Sequence, residues 1–236
     1  MHIDHEIFIE NITVGYDSNI VLRKVSFHLD KDEVIGIIGQ NGSGKSTLLK
    51  AVCGMLPLSE GEITVRDKKL EYMQTHRLID LGISYFSQSG LVIPALTVEE
   101  HLLLALKCKE KKLNEAEIVY SEFPQLKALR KQRAGNLSGG ERQILSFGIL
   151  LLQNHEIWLL DEPTSGLSPE MVDYSVDFLI RMKRERSISM LLVEHNMEVA
   201  FQIADKIVVV EQQTVSDKFE RNVFTKDNFL TNHVYN

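Results

Sequence analysis

The chain has 236 residues, 44% of them hydrophobic, enough to bury a sizeable core as one domain with an inserted lobe. Its 26 Lys and Arg against 33 Asp and Glu leave a net charge of −7, which argues against broad binding to nucleic acid or anionic lipid. The basic clusters Lys107, Lys109, Lys111, Lys112 and Arg130, Lys131, Arg133 read as solvated helix faces. Two cysteines, Cys53 and Cys108, lack metal spacing and imply no disulfide framework, which fits a reducing cytosol. The first residues carry neither a basic nor an apolar segment, so no signal peptide is expected. The longest apolar run, Ile144 to Leu152, is broken by Ser146 and is about half the length of a membrane span. Any membrane role is therefore expected to come through a partner.

In chain order, Val25, Phe27 and Leu29 alternate with Lys24, Ser26 and His28, the pattern of a half-exposed strand. Val34 to Ile38 is apolar throughout, as in a strand covered on both faces. Leu48, Leu49, Val52 and Leu56 then recur at helical spacing, with Cys53 on the apolar face. Ile83–Phe86 predicts a further strand that ends at Gln88. Beyond it the strand signals vanish and charges multiply, so residues 89–153 are expected to form a mostly helical lobe, with a helix beginning at Val98. The α/β pattern resumes with strand 157–160, a helix from Pro169 to about Glu185, strand 188–193, helix 197–204 and strand 207–210.

Three local patterns carry chemistry. Gly39-Gln40-Asn41-Gly42-Ser43-Gly44-Lys45-Ser46, followed by Thr47, fits the Walker A pattern and lies between a buried strand and a helix. Glycines there let backbone N–H groups turn inward around the β- and γ-phosphates of ATP, and the helix adds its positive dipole end. The Lys45 ammonium suits the phosphate oxygens, and the Ser46 hydroxyl suits Mg²⁺. Asp161 ends an apolar strand, where ligand sites of open parallel sheets lie, and is placed for Mg²⁺. Glu162 follows it on the other side of the strand end and is the candidate general base for a water attacking the γ-phosphate. Leu137-Ser138-Gly139-Gly140-Glu141 opens a helix, so its hydroxyl, amides and dipole again suit a phosphate.

Together with His195, these motifs resemble the ATPase subunit of an ABC transporter, over nearly the whole chain. The resemblance implies an α/β P-loop NTPase of the ABC type within a single domain, 1–236. A RecA-like core (about 1–88 and 154–236) would carry an N-terminal antiparallel β region and an inserted helical lobe (about 89–153). It implies that Tyr16 stacks on adenine, that Gln88 serves Mg²⁺ or water at the lobe's entry, and that His195 bonds the γ-phosphate. It further implies a head-to-tail dimer, in which Ser138, Gly139 and Gly140 of one copy close on the ATP held by the other. Ser165 to Ser168 is similar to the loop that communicates between the two sites.

The wording around Leu96-Thr97-Val98-Glu99-Glu100, Phe123-Pro124-Gln125-Leu126, Arg133 to Gly140 and Leu192 to Met197 is similar to ATPases of branched-chain amino-acid importers. The lipopolysaccharide-export ATPase is a near relative. Ser168, Ile149, His155 and Glu211-Gln212-Gln213 depart from the family pattern without touching the phosphate chemistry, and point to a divergent branch. The short segment after Val210 suggests no regulatory domain. The reading is an ATP-hydrolysing subunit, as a homodimer or with a paralogous ATPase, peripheral on the cytoplasmic face of the membrane and docked to membrane-spanning subunits. Its cargo would be amino acids or a related small solute, and no nucleic-acid partner is expected. Leu91, Val92, Ile93, Leu96 and Val98 are candidates for the docking contact. The alternatives are a lipopolysaccharide or lipid exporter ATPase and a soluble ABC ATPase such as an iron–sulfur assembly factor.

Overall fold

The computed structural model describes residues 5–70, 72, 77–88, 90–107 and 115–220. Cys108, Lys109, Lys111, Lys112 and Ser89, and the segment after Glu220, lie outside the described residues. The chain enters on two long strands, β1 (His5–Tyr16) and β2 (Asn19–Asp30), which pair antiparallel across the turn at Asp17 and Ser18. It continues through β3 (Val34–Ile38), α1 (Lys45–Val52), β4 (Leu58–Val65), β5 (Lys68–Lys69), α2 (Arg77–Asp80) and β6 (Ile83–Phe86). A helical excursion follows: α3 (Val98–Lys107), α4 (Ala116–Glu122), α5 (Pro124–Ala128) and α6 (Gly139–Gln153). The return comprises β7 (Ile157–Asp161), α7 (Pro169–Arg186), β8 (Ser189–Val193), α8 (Met197–Ile203), β9 (Lys206–Glu211), β10 (Thr214–Val215) and β11 (Phe219–Glu220).

Two sheets result. One is antiparallel, in the order β2-β1-β4-β5; the other runs β10-β9-β3-β8-β7-β6, with β11 also on β9. Strands β9, β3, β8, β7 and β6 are mutually parallel. Both faces of this parallel sheet are covered, so its strands are largely apolar, and their two-residue period divides the side chains between two cores. Ile35, Ile37, Ile157, Leu159, Leu191, Val193, Val208 and Val210 join α1 and the antiparallel sheet in one cluster. Their chain neighbours Val34, Ile38, Trp158, Leu160, Met190, Leu192, Ile207 and Val209 face α6, α7, α8 and the helical excursion in the other. Helix α1 is therefore wedged between the sheets by Leu48, Leu49 and Val52.

Helices α3 to α6 share the second cluster with the sheet, through Leu102, Val119, Phe123, Leu126 and Phe147. Phe178 of α7 is the meeting point. Its ring stacks on Phe147 at 4.4 Å between centroids, and Phe123 and Trp158 lie at 5.6 and 6.2 Å. The segment entering α3 is laced to the segment before α6: Val98 N–H donates to the Gln132 carbonyl, and Ala134 N–H to that of Leu96.

Several expected boundaries shift. Helix α1 stops at Val52, so Leu56 lies beyond it and packs on the core from a loop. Cys53 caps that helix and is fully buried, which pushes its thiol pKa up. Strand β6 ends at Phe86, short of Gln88, and leaves Gln88 on a loop, whereas β8 ends at Val193 as expected and His195 lies on the loop beyond it. Val98, expected to be available for docking, is fully buried because the first turn of α3 faces the core. Among the described residues no helix is long and apolar enough to cross a membrane.

Phe178→Ala should cost about 3–5 kcal/mol of unfolding free energy, because the cavity opens where four elements meet. Urea denaturation would read this as a lower midpoint at unchanged slope.

Candidate functional site

The loop between β3 and α1 is shaped by glycine. Gly39 has φ 153°, and a Cβ there would lie 2.4 Å from the Val210 carbonyl oxygen. Gly44, at φ 111°, precedes α1 and supplies no side-chain cap, so the first-turn amides of α1 are open to an anion. Ser43 Oγ is buried and meets no hydrogen-bond partner among the described residues. A buried hydroxyl without a partner is costly, and here it lines a loop of inward-facing amides. Lys45 Nζ donates to the carbonyls of Gly39 and Gln40, at 2.9 Å each. Its burial lowers the ammonium pKa, opposed by the charges of Glu162 and Asp161. The loop thus holds a desolvated cation and an unpartnered hydroxyl, both matched to phosphate oxygens. Asn41 and Gly42 form its exposed tip, and Thr47 is buried in the first turn of α1.

The end of β7 supplies the acids. Asp161 continues the strand alternation and falls on the α1 side, where its Oδ1 accepts from Ser46 Oγ at 2.9 Å. Burial raises its pKa. Glu162 then leaves the strand in the left-handed region, at φ 52°. Such a conformation costs a non-glycine residue on the order of 1 kcal/mol or more. It sends the carboxylate toward two loops: Oε2 accepts from Gln88 Nε2 at 2.8 Å, and Oε1 lies 2.5 Å from His195 Nε2. Lys45, Ser46, Gln88, Asp161, Glu162 and His195 therefore converge from four separate segments.

The remaining candidates stand apart from this centre. Tyr16 ends β1, is 43% exposed as a residue, and has Lys50 Nζ 5.9 Å from its ring centroid. Ser138 caps α6 in a reciprocal capping box: its hydroxyl accepts from Glu141 N–H, and the Glu141 carboxylate accepts from Ser138 N–H. Gly140 packs on Met171, whereas a Cβ on Gly139 would meet nothing within 4 Å. Among the described residues no hydrogen bond joins Ser138 to the phosphate loop.

Two contacts had no signal in the sequence, although both residues lie within the motif stretches. Gln143 of α6 donates its side-chain amide to the Pro163 carbonyl, next to Glu162. Glu194, just before His195, is 3% exposed and accepts from Thr164 N–H at 3.2 Å and Thr164 Oγ1 at 2.8 Å. Its burial, only partly offset by those bonds, pushes the carboxyl up to about 7.

A doubly covered parallel sheet with a glycine phosphate loop after β3, and paired carboxylates at the end of β7, two strands away in the sheet, fits an ATP-binding cassette. The sequence profile of the ABC transporter family matches residues 22–165, and the chain belongs to that family. It is 34% identical to a probable branched-chain amino acid transport ATP-binding protein, LivF, of Archaeoglobus fulgidus, over 82% of this chain and 83% of that one. It is 32% identical to the high-affinity branched-chain amino acid transport ATP-binding protein BraG of Pseudomonas aeruginosa, over 86% and 87%. Its fold superposes with TM-score 0.83 on the ADP conformation of an ATP-binding cassette of an ABC transporter, at 25% identity over 98% and 99% of the two chains.

Glu194 also makes stability depend on pH. Its folded pKa, about 7, lies above the ordinary 4.5, so the folded state holds the proton more tightly and stability falls as pH rises between those values. The full effect is on the order of 3 kcal/mol. Unfolding free energies measured from pH 4.5 to 8 should diverge, with Glu194→Gln growing more stable relative to the native chain as pH rises.

Proposed function

We propose that this chain is the ATP-hydrolysing subunit of a membrane importer for amino acids or a related small solute. It would work at the cytoplasmic face as one ABC ATPase unit, with core 1–88 and 154–236 and helical lobe 89–153. The observation that carries the reading is Glu162, held between Gln88 and His195 beside the Ser46–Asp161 pair at the mouth of the phosphate loop. Gly39 and Asn41 to Thr47 cradle the phosphates, with the amides ahead of α1 and the Lys45 ammonium taking the β and γ oxygens. Ser46, Asp161 and the Gln88 carbonyl are hard oxygen donors that fit Mg²⁺, which offsets phosphate charge when bound. Glu162 accepts the proton of the attacking water, and His195 and Gln88 orient that water and the γ-phosphate. Tyr16 offers its exposed ring to adenine.

The site is completed by a second copy or a paralogous ATPase. Gly139 needs neither a left-handed backbone nor space inside its own chain, so its missing side chain serves whatever approaches from outside. A nucleotide bound to the partner would meet Ser138, Gly139 and Gly140 at the uncrowded start of α6. The amino-acid cargo follows from the relatives named for branched-chain amino acid transport. Docking to membrane-spanning subunits is assigned to Ile93, which is 48% exposed, and to its half-buried neighbours Leu91, Val92 and Leu96.

Glu162→Gln should retain ATP binding, lower turnover at least 100-fold and yield an ATP-dependent dimer on size exclusion. A monomer under those conditions would count against the composite site. Lys45→Ala should instead weaken nucleotide binding itself. Purified in detergent from its native cells, the Glu162→Gln chain should bring multi-span membrane proteins in stoichiometric amount; soluble partners alone would overturn the transport reading.

A further inference from the structure

Glu194 is a buried carboxyl with no part in the chemistry proposed for the site, yet it is built into the site's frame. It follows β8 directly, and its own N–H donates to the Ile37 carbonyl near the end of β3, two residues before the phosphate loop. Its Oε1 accepts from both the Thr164 amide and the Thr164 hydroxyl, and His195 follows it directly in the chain. Glu194 thus joins the two segments that flank Glu162. Thr164 lies two residues after Glu162 in the chain, and His195 contacts the Glu162 carboxylate through space. Pro163, between them, is held from the other side by Gln143. A carboxylate suits this position because it only accepts, and its Oε1 takes both Thr164 donors.

We propose that Glu194 is a positioning residue for hydrolysis, clamping the Thr164 segment to the His195 loop and so holding Glu162 and His195 in register with the attacking water. This rests on the ATPase reading above. The clamp costs the fold stability, because it buries a charge in a site that already holds Glu162. That is the opposite of what a carboxyl placed for stability alone would do. Burial and the neighbouring Glu162 charge keep its proton on until near neutrality. Among the described residues, the charged or titratable groups facing it are Glu162 and the adjacent His195. The clamp also spans both ends of the reaction site. Thr164 leads into the exposed Ser165–Gly166 turn, whereas His195 reaches the Glu162 carboxylate.

Steady-state ATP hydrolysis by the full-length chain, measured from pH 6 to 9 for the native protein, Glu194→Gln, Thr164→Val and Thr164→Ser, tests this. Glu194→Gln removes a buried charge and keeps the shape, so it should fold; Thr164→Ser keeps the hydroxyl. Glu194→Gln and Thr164→Val should each lower kcat about tenfold with KM for ATP within about twofold, while Thr164→Ser stays near the native rate. The double variant Glu194→Gln/Thr164→Val should be no slower than either single one, as expected of a shared contact. The rise of kcat through neutrality should flatten in Glu194→Gln and persist in Thr164→Val. Native kcat in Glu194→Gln would overturn the proposal, as would equal losses in Thr164→Ser and Thr164→Val. A native chain that hydrolyses no ATP would instead overturn the ATPase reading itself.

Discussion

The site depends on one backbone event at the end of β7. Up to Asp161 the strand obeys its two-residue period, which delivers that carboxylate to the α1 face and to Ser46. One residue later the chain turns left-handed at Glu162, a conformation that sterics disfavour for any side chain with a Cβ. The Glu162 amide is held by the Val193 carbonyl of the neighbouring strand, and its own carbonyl accepts from Ser165 N–H. Both backbone groups are thus fixed, and the surrounding sheet holds the turn in place. The consequence is chemical. Two adjacent acids are separated onto opposite sides of the strand end, so one can serve a cation while the other stays available to take a proton.

The charges of the centre are otherwise satisfied internally. Lys45 rests on two carbonyls, Asp161 on Ser46, and Glu162 on Gln88 and His195. Each of these contacts occupies a group that a triphosphate would need. Binding would therefore exchange one set of polar contacts for another, and its gain in free energy is the difference between two well-bonded states. The desolvated Lys45 and the unpartnered Ser43 hydroxyl tilt that exchange toward the nucleotide.

Much of this was legible in the chain. The all-apolar runs at Val34–Ile38 and Ile157–Leu160 announce strands covered on both faces, and the glycine pattern between strand and helix announces a phosphate loop. Residue order along a strand end even separates Asp161 from Glu162. What the chain does not announce are contacts between residues far apart in sequence. Glu194 sits where any residue could follow a strand, and only the fold brings Thr164 beneath it. Val98 shows the complementary failure. An apolar residue opening a charged helix reads equally well as docking surface or core, and α3's packing on α6 decided for the core. The short antiparallel partners β5, β10 and β11 are likewise too brief for periodicity to reveal.

The link from Gln143 to Pro163 gives α6 a second significance. The same helix carries Ser138 and Gly139 at its start, and Gln143 on its second turn touches the backbone beside the candidate base. An α-helix is stiff over so short a distance, because successive turns are locked by i→i−4 hydrogen bonds. A phosphate engaged at the N-terminus of α6 would therefore move Pro163 with it, and Pro163 can change only by moving Glu162 or Thr164. The loop is consequently pulled from two sides, by Gln143 from the lobe and by Glu194 from the sheet. On the proposed head-to-tail reading, the partner's nucleotide at the start of α6 and the backbone beside Glu162 are joined by this one helix.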